Sequence, residues 1–355
     1  MSTFSTSSQE PVTTEPTDRR VLISTPGNAT HPFHTLSLPA WHLAPLPISS
    51  PPGIFPTHIE KHPLAKDIYI VTNEVQSGSI LAVKVTDAST VAGSVPASGS
   101  LPAYCAVQND RAICSNYGSP TISAHRLVPS VPYIRHLADF TFPATTDSAE
   151  SHPHQVILHP SIPGLAYVPD LGLNTIYTLR LDHAEVGFLG QVFIPEDLGI
   201  GPRHGVMSRD ARHLIVGFQT SNTVAVIPVT ADGDLTAPVS SLSTLPSTGT
   251  STHALSDIHV TARGRVYVLN RQVAEPYQGE GDTIALFRLK EGRLQSEGWI
   301  QLPCWQPREI LPLGEEVLAI SCIGANGLGG GVVVVQDGAA VGYWAGQSAW
   351  GLSVL

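Results

Sequence analysis

The apolar residues of the chain fall into short runs rather than into long helical stripes. Runs such as IYIVTN, LAYVPD, HLIVGF, RVYVLN and VLAISC are rich in β-branched residues and are bounded by Gly, Pro, Asn or Asp, which is typical of strands between turns. No run keeps apolar residues at helical spacing for more than two turns. The pattern therefore predicts an all-β protein.

The strand pattern repeats at intervals of roughly 50 residues. Each unit contains a first strand, a turn, a strongly apolar second strand, a turn with Gly or Asn, and an alternating third strand. A linker then supplies a fourth strand. Four-stranded units at this period are typical of the blades of a β-propeller. The six complete units begin at Pro56, Pro102, Pro153, Pro202, Leu255 and Pro307.

The two ends of the chain are left over from these six units. RRVLISTPGNATHPFHTLSLP near the N-terminus and VGYWAGQSAWGLSVL at the C-terminus are each too short for a blade, but together they make one. A shared blade would close the ring and remove its open edges. We therefore predict a seven-bladed β-propeller in a single domain, residues 19–355, behind a Ser/Thr-rich tail, residues 1–18, that we expect to be disordered.

Charge and composition disfavour nucleic acid and membranes as partners, and we expect the partner to be a small-molecule substrate. The formal net charge is -10 and there is no basic cluster, which disfavours binding to nucleic acid or to an anionic membrane. No apolar run approaches the roughly 20 residues that span a bilayer, and the N-terminus lacks an apolar signal core. We therefore expect a cytoplasmic protein that is a monomer or a weak homo-oligomer. The 4 cysteines lack zinc-site spacing, and we expect them to be small buried apolar residues.

The first strand of each propeller blade lines the central channel, so polar residues at its start face the solvent-filled mouth of that channel, here called the funnel. His154 is a candidate general acid or base, because imidazole titrates near neutral pH. Arg203 and Arg308 take the same place in two units and are candidate clamps for carboxylate, phosphate or enolate oxygens. His204 and Glu309 follow them, and strand alternation predicts that both point the other way.

Other residues near the strand starts are weaker candidates. Asp257 and His259 lie two apart on one strand face and could form a dyad. His152 is expected to support the strand entry, and Asp170 to serve turn chemistry. Both His152 and His204 are also candidates for substrate contact. The candidates for an aromatic pocket wall are Tyr104, Tyr117, Trp305 and Trp350.

Several motifs taken together carry a family resemblance. They are HPHQV…YVPDLGLNTIYTLRLD (152–182), GPRHGV (201–206), SDIHV…RVYVLNR (256–271), SNYG (115–118) and QPREI (306–310). In these motifs the chain resembles the propeller lactonase family, which includes 6-phosphogluconolactonases of the propeller type and the fungal carboxy-cis,cis-muconate cyclases. The resemblance covers residues 54 to 340.

The resemblance implies catalysis without a metal or an organic cofactor. In such enzymes arginines bind carboxylate or phosphate groups, and a His/Glu set moves protons. His154 and Arg203 match the motif histidine and arginine. Where the family commonly has an acid after GPRH, this chain has Gln219, which cannot accept a proton at neutral pH. A further arginine of the cyclases falls near His259, and Arg271 is a nearby guanidinium candidate.

These features predict an enzyme that binds a small, oxygen-rich substrate in the funnel. Because Gln219 weakens water activation, we favour ring closure or isomerisation, such as a cycloaddition or C–O cyclisation in secondary metabolism. Lactone hydrolysis is the close alternative. A non-catalytic propeller that binds a protein or a small ligand on its loops is the second alternative.

Overall fold

Every regular element in the described part of the chain is a β-strand, as the short β-branched runs predict. No helix among these residues is long and apolar enough to cross a membrane. The predicted disordered tail, residues 1–18, lies outside the described residues. The computed structural model describes residues 19–26, 28, 30–38, 42–46, 48–49, 54–86, 88–143, 150–181, 185–246, 252–275, 277, 281–325, 329–346 and 348–355.

The strands form seven antiparallel sheets arranged as the blades of a propeller. Six blades follow the six sequence units in chain order, and a seventh, the closing blade, combines the two ends of the chain. Blade 1 has an additional outer strand, β4, which is parallel to its neighbour. From the axis outward the strands are as follows: closing blade β29 (Leu352–Val354), β1 (Arg19–Ser24), β2 (Phe33–Leu38) and β3 (His42–Leu46); blade 1 β5 (Pro56–Lys61), β6 (Ile68–Asn73), β7 (Ser79–Val85), β8 (Ser89–Pro96) and β4 (Ile48–Ser49); blade 2 β9 (Pro102–Gln108), β10 (Arg111–Asn116), β11 (Thr121–Leu127) and β12 (Ile134–Thr141); blade 3 β13 (Ile157–Leu158), β14 (Leu165–Asp170), β15 (Thr175–Leu181) and β16 (Val186–Phe193); blade 4 β17 (Pro202–Met207), β18 (His213–Phe218), β19 (Thr223–Pro228) and β20 (Ser240–Ser243); blade 5 β21 (His253–Val260), β22 (Arg265–Gln272), β23 (Thr283–Lys290) and β24 (Arg293–Gln301); blade 6 β25 (Pro307–Pro312), β26 (Val317–Cys322), β27 (Gly331–Gln336) and β28 (Ala339–Ala345).

The ring closes as the sequence predicts, with the C-terminal strand on the inside of the N-terminal blade. β29 pairs with β1 in antiparallel register, with Leu352 opposite Ile23 and Val354 opposite Val21. Seven clusters of buried apolar residues lie between neighbouring blades, one at each interface around the ring. The prediction of a seven-bladed propeller is therefore confirmed, and burial between blades stabilises the closed ring.

A β-bulge near the start of the inner strands decides which side chains reach the axis. In β17 the pairing with β18 slips between Pro202 and His204, and similar slips occur in β5, β9, β21 and β25. A bulge breaks the alternation of side chains and re-aims them. Arg203 and His204 consequently both line the axial cavity, as do Arg308 and Glu309. The expectation that His204 and Glu309 point away from the axis is wrong for this reason.

A second ring of side chains lies at the funnel, where the second strand of each blade ends. The backbone N–H of Glu74 donates to the carbonyl of Phe55, which precedes its inner strand (2.9 Å), and the same type of bond recurs in blades 2, 3, 4 and 6. Arg271 holds the corresponding place in blade 5, opposite Ala254. We call these residues the rim residues. They are Glu74, Tyr117, Leu171, Gln219, Arg271 and Ile323.

The four cysteines form two disulfides, so the expectation of small unpaired side chains is wrong. Cys105 and Cys114 lie directly opposite each other on β9 and β10 and are bonded. Cys304 precedes β25 and is bonded to Cys322 at the end of β26. Disulfides persist mainly in oxidising compartments, and the cytoplasmic location expected from the sequence is not confirmed.

Candidate active site

The GPRH motif brings Arg203 to the axis through a sharp turn. Gly201 has a φ of 73°, and a Cβ at this residue would lie 2.6 Å from Oγ1 of Thr220, so the turn requires glycine. The carbonyl of Gly201 accepts a hydrogen bond from the backbone N–H of Gln219 (2.7 Å). The motif therefore fixes the inner-strand arginine and the rim glutamine of the same blade relative to each other.

Three arginines from blades 4, 5 and 6, namely Arg203, Arg271 and Arg308, interact electrostatically at the funnel. Arg203 is 1% exposed, and one of its terminal nitrogens donates to the carbonyl of Ser256. Burial, and then the charges of Arg308 and Arg271, hold the pKa of Arg203 well below its usual range. Burial and the charge of Arg308 lower the pKa of Arg271 to about 9. The three groups are therefore close enough to repel one another.

The arginine cluster has few negative partners. No ion pair joins any of the three guanidiniums to a carboxylate among the described residues. Nε of Arg203 and Nε of Arg271 are buried without a hydrogen-bond partner. Buried donors of this kind carry an energetic cost unless a ligand satisfies them. The cluster has the chemistry of a binding site for an anion.

The remaining contacts of the cluster are neutral. A terminal nitrogen of Arg271 donates to Oε1 of Gln219 (3.1 Å). The guanidinium carbon of Arg308 lies 5.1 Å from the centre of the Trp350 ring, which is a cation–π distance. Gln219 and Trp350 therefore contact Arg271 and Arg308, respectively, without neutralising them.

His154 lies beside the arginines at the start of the inner strand of blade 3. Its Nδ1 is 3.2 Å from Nε2 of His204, and Nδ1 of His204 is 2.6 Å from Oδ1 of Asp257. Burial, followed by the charge of Arg203, lowers the pKa of His154 well below its ordinary value. The same two causes lower the pKa of His204 to about 4. Both imidazoles are therefore neutral at neutral pH.

Asp257 pairs with His204 of the neighbouring blade and not with His259. The predicted Asp257–His259 dyad is therefore wrong. The bulge in β21 lies between Leu255 and Ile258. It turns the carboxylate of Asp257 toward His204 of blade 4. His259 lines the same cavity farther along the strand.

Tyr117 and His152 form one wall of the funnel next to His154. Their rings stack with centroids 4.7 Å apart, and the Tyr117 ring meets His154 edge-on at 5.5 Å. His152 Nδ1 donates to the carbonyl of Tyr117 (2.8 Å). Oδ1 of Asp170 accepts hydrogen bonds from the backbone N–H groups of His152, Gly172 and Leu173 (2.8, 3.1 and 3.0 Å). Asp170 thus organises the turn, as predicted.

Below the arginines an axial cavity of about 270 Å³ is lined by residues from all seven blades. One of its polar groups is His58, whose Nδ1 lies 3.2 Å from Oε1 of Glu309 and whose Nε2 lies 3.1 Å from the carbonyl of Cys105. Both ring nitrogens face acceptors, which requires the doubly protonated imidazolium. The ring of Tyr104 stacks on His58 at 4.0 Å. Trp305 packs against Tyr277 instead and does not line this cavity.

Two acidic residues and one histidine of the site were missed by the sequence analysis. Glu309 was expected to face away, and His58 stood in the THIE start of blade 1 without being singled out. Glu74 is a rim residue in blade 1, whose Oε2 is buried without a hydrogen-bond partner, and its charge raises the pKa values of Arg203 and Arg271. The signal for Glu74 was available, because it follows the second strand of its unit as Gln219 does in blade 4.

Comparison with known proteins places this chain in a family. The pattern of the family described as "Lactonase, 7-bladed beta-propeller" matches residues 52–322. No curated protein matches the chain. Among solved structures, a protein from Lactobacillus plantarum is 19% identical with a TM-score of 0.78, covering 95% of this chain and 99% of its own.

Two further similar structures have names that state an activity. A candidate 6-phosphogluconolactonase from Bacteroides fragilis is 17% identical with a TM-score of 0.77, over 98% of this chain and 100% of its own. A periplasmic gluconolactonase from Pseudomonas aeruginosa is 16% identical with a TM-score of 0.76, over 95% of this chain and 99% of its own. At such low sequence identities, these structural similarities show a shared fold. The family match extends over most of the sequence, and the chain belongs to the lactonase family of seven-bladed β-propellers.

Proposed function

We propose that this protein hydrolyses a lactone that carries a phosphate or carboxylate group. The observation that carries the proposal is the convergence of Arg203, Arg271 and Arg308, which form no ion pair with a carboxylate in the described part of the chain, beside the neutral imidazole of His154. Guanidinium groups bind phosphate and carboxylate oxygens through paired hydrogen bonds. An anion between the three groups would relieve their mutual repulsion and satisfy their unpaired donors.

His154 is the candidate general base. Nε2 of this histidine has no hydrogen-bond partner among the described residues, whereas Nδ1 is engaged by His204. The arginine charges contribute to the low pKa of His154. A bound substrate anion would offset those charges and move the pKa back toward the neutral range, where an imidazole is an effective base. Substrate binding would thus activate the base.

Hydrolysis then requires one water and no cofactor. His154 removes a proton from the water while the oxygen attacks the lactone carbonyl, and the developing oxyanion is stabilised by a guanidinium. The bond between the carbonyl carbon and the ring oxygen breaks. The ring oxygen takes the proton from the imidazolium, and the product is a hydroxy acid.

The family match and the names of two similar structures support hydrolysis rather than the ring closure favoured by the sequence analysis. Ring closure was favoured because Gln219 replaces an acid, and Gln219 is engaged by Arg271. A site that relies on His154 for proton transfer does not need an acid at that position. The purely ligand-binding alternative finds no support, since arginine, histidine and carboxylate groups converge on one cavity at the axis.

The test is a hydrolysis assay with glucono-δ-lactone, its 6-phosphate, and a lactone bearing a carboxylate. We expect an anionic lactone to be opened faster than in protein-free buffer, and the Arg203→Met variant to lose about 100-fold or more in kcat/KM. Arg263→Met is the matched control, because Arg263 is 62% exposed and pairs with Glu315 outside the funnel. Equal rates with and without protein for all three lactones would overturn the proposal.

A further inference from the structure

Three titratable side chains from three consecutive blades form a hydrogen-bonded row that ends in the funnel. Asp257 of blade 5 contacts His204 of blade 4 (2.6 Å), and His204 contacts His154 of blade 3 (3.2 Å). The exposed fractions are 8%, 7% and 5%. Hydrogen positions in such a row follow from which partner must donate and which must accept.

The proton positions can be assigned starting from Asp257, which is held as an acceptor on every side. Its Oδ1 accepts from the backbone N–H of Ile258 (2.8 Å), and its Oδ2 accepts from the backbone N–H of Ile310 (2.8 Å). Burial alone would raise the pKa of Asp257, but the interactions with His204 and the two amides outweigh it and lower the pKa. Asp257 is therefore a carboxylate, and Nδ1 of His204 must donate to it.

The second step follows from the neutrality of His204. A neutral imidazole has one protonated nitrogen, and in His204 that nitrogen is Nδ1. Its Nε2 can therefore only accept, so the contact at 3.2 Å requires Nδ1 of His154 to donate. His154 is neutral as well, which leaves its Nε2 unprotonated.

We infer that Asp257 and His204 are positioning residues that fix the tautomer of His154, with the proton on Nδ1 and the free electron pair on Nε2 directed into the funnel. Without Asp257 and His204 both tautomers of the neutral His154 would be accessible. The tautomer protonated at Nε2 could not accept a proton from water at Nε2. The inference rests on the proposed function for its catalytic meaning, but the tautomer itself can be measured without a substrate.

The experiment is a long-range ¹H–¹⁵N NMR spectrum of the full chain labelled at histidine, because protonated and unprotonated ring nitrogens resonate far apart. The His154 signals are assigned with a His154→Asn variant. In the wild-type protein we expect a protonated Nδ1 and an unprotonated Nε2. Protonation at Nε2 in the wild-type protein would overturn the inference whether or not any lactone is hydrolysed.

The variants Asp257→Asn and His204→Gln should each give a mixture of His154 tautomers. The matched control is Asp282→Asn, because Asp282 of blade 5 also accepts two backbone N–H bonds, from Gln272 (2.9 Å) and Gln306 (2.7 Å), but contacts no histidine among the described residues. In the control the His154 tautomer should stay as in the wild-type protein. A tautomer left unchanged by both test variants would contradict the inference.

The same variants separate this inference from the proposed function. If the wild-type protein hydrolyses the anionic lactone, kcat in Asp257→Asn should fall in proportion to the fraction of His154 that becomes protonated at Nε2, while KM changes little. If no lactone is hydrolysed but the tautomer shifts as expected, Asp257 and His204 are confirmed as positioning residues and the proposed function is wrong. Thermal unfolding of each variant identifies any variant that is not folded. If the test variants do not fold, the spectrum of the wild-type protein by itself tests the assigned tautomer of His154.

Discussion

The charged histidine of the axial cavity, His58, offers a quantitative test of the assigned charges. His58 is 5% exposed and lies between Glu309 (3.2 Å) and Glu60 (3.6 Å). Burial by itself lowers the pKa of His58, but the two carboxylates outweigh burial and raise the pKa to about 10. The perturbation is His58→Gln, which removes the cation and leaves the side chain of Glu309, 17% exposed, without its partner.

The expected loss follows from the burial of the pair. Removing one partner of a buried ion pair costs about 3–5 kcal/mol in the free energy of unfolding. The folded pKa of His58 lies above its unfolded value of 6.5. Its contribution is therefore fully present below pH 6.5 and is lost as the pH rises through about 10. The difference between wild type and variant should be largest near pH 6 and should shrink toward pH 10.

The assay is urea unfolding at several pH values between these limits. His136→Gln is the control, because His136 forms a half-exposed pair with Asp139 at 3.4 Å, and surface pairs contribute about 1 kcal/mol or less. In the double variant His58→Gln/Glu309→Gln the loss should be smaller than in His58→Gln alone, since no unpaired carboxylate remains. A difference between wild type and His58→Gln that does not change with pH would refute the assignment of His58 as a cation.

Two further predictions concern the rim and the disulfides. In Gln219→Glu the new carboxylate should pair with Arg271, so KM for an anionic lactone should rise about tenfold, or about 1.4 kcal/mol, while KM for a neutral lactone stays constant. Steady-state kinetics with both lactones measures these KM values. An equal change of KM for both lactones would contradict the electrostatic account. Replacing Cys304 and Cys322 together by alanine should lower the free energy of unfolding by about 2–4 kcal/mol, measured by urea unfolding without reductant. An unchanged unfolding midpoint in that variant would show that the disulfide does not form in solution.

The fold could be predicted because each blade repeats the same local signals. An apolar second strand such as IYIVTN or RVYVLN must be buried on both faces, and turn residues limit its length. The leftover segments at the two ends could only complete a ring by sharing a blade, which is how β29 and β1 pair. These inferences use patterns within about 50 residues, a distance over which sequence periodicity carries information.

The details of the site could not be predicted, because they depend on one extra residue in each of five inner strands, β5, β9, β17, β21 and β25. Alternation predicts that Arg203 and His204 face opposite sides, and the bulge between Pro202 and His204 brings both to the cavity. A bulge leaves no mark in the pattern of apolar and polar residues. Alternation also linked Asp257 to His259, whereas the bulge in β21 turns Asp257 toward His204.

Contacts between distant blades are the other part that the sequence did not reveal. His58 and Glu309 are 251 residues apart in the chain and meet only because blades 1 and 6 both reach the axis. The disulfide between Cys304 and Cys322 likewise depends on how the strand β26 ends beside the segment before β25. Such pairings follow from the closed ring and not from residue spacing.

The most direct test of the proposed hydrolysis is to follow an anionic lactone with this protein in water enriched in heavy oxygen, and to locate the label by mass spectrometry. The account predicts a hydroxy acid that forms faster than in protein-free buffer and carries one labelled oxygen in its carboxylate, because water attacks the carbonyl carbon. A protein-dependent product of unchanged mass, or a label on the hydroxyl group, would contradict it.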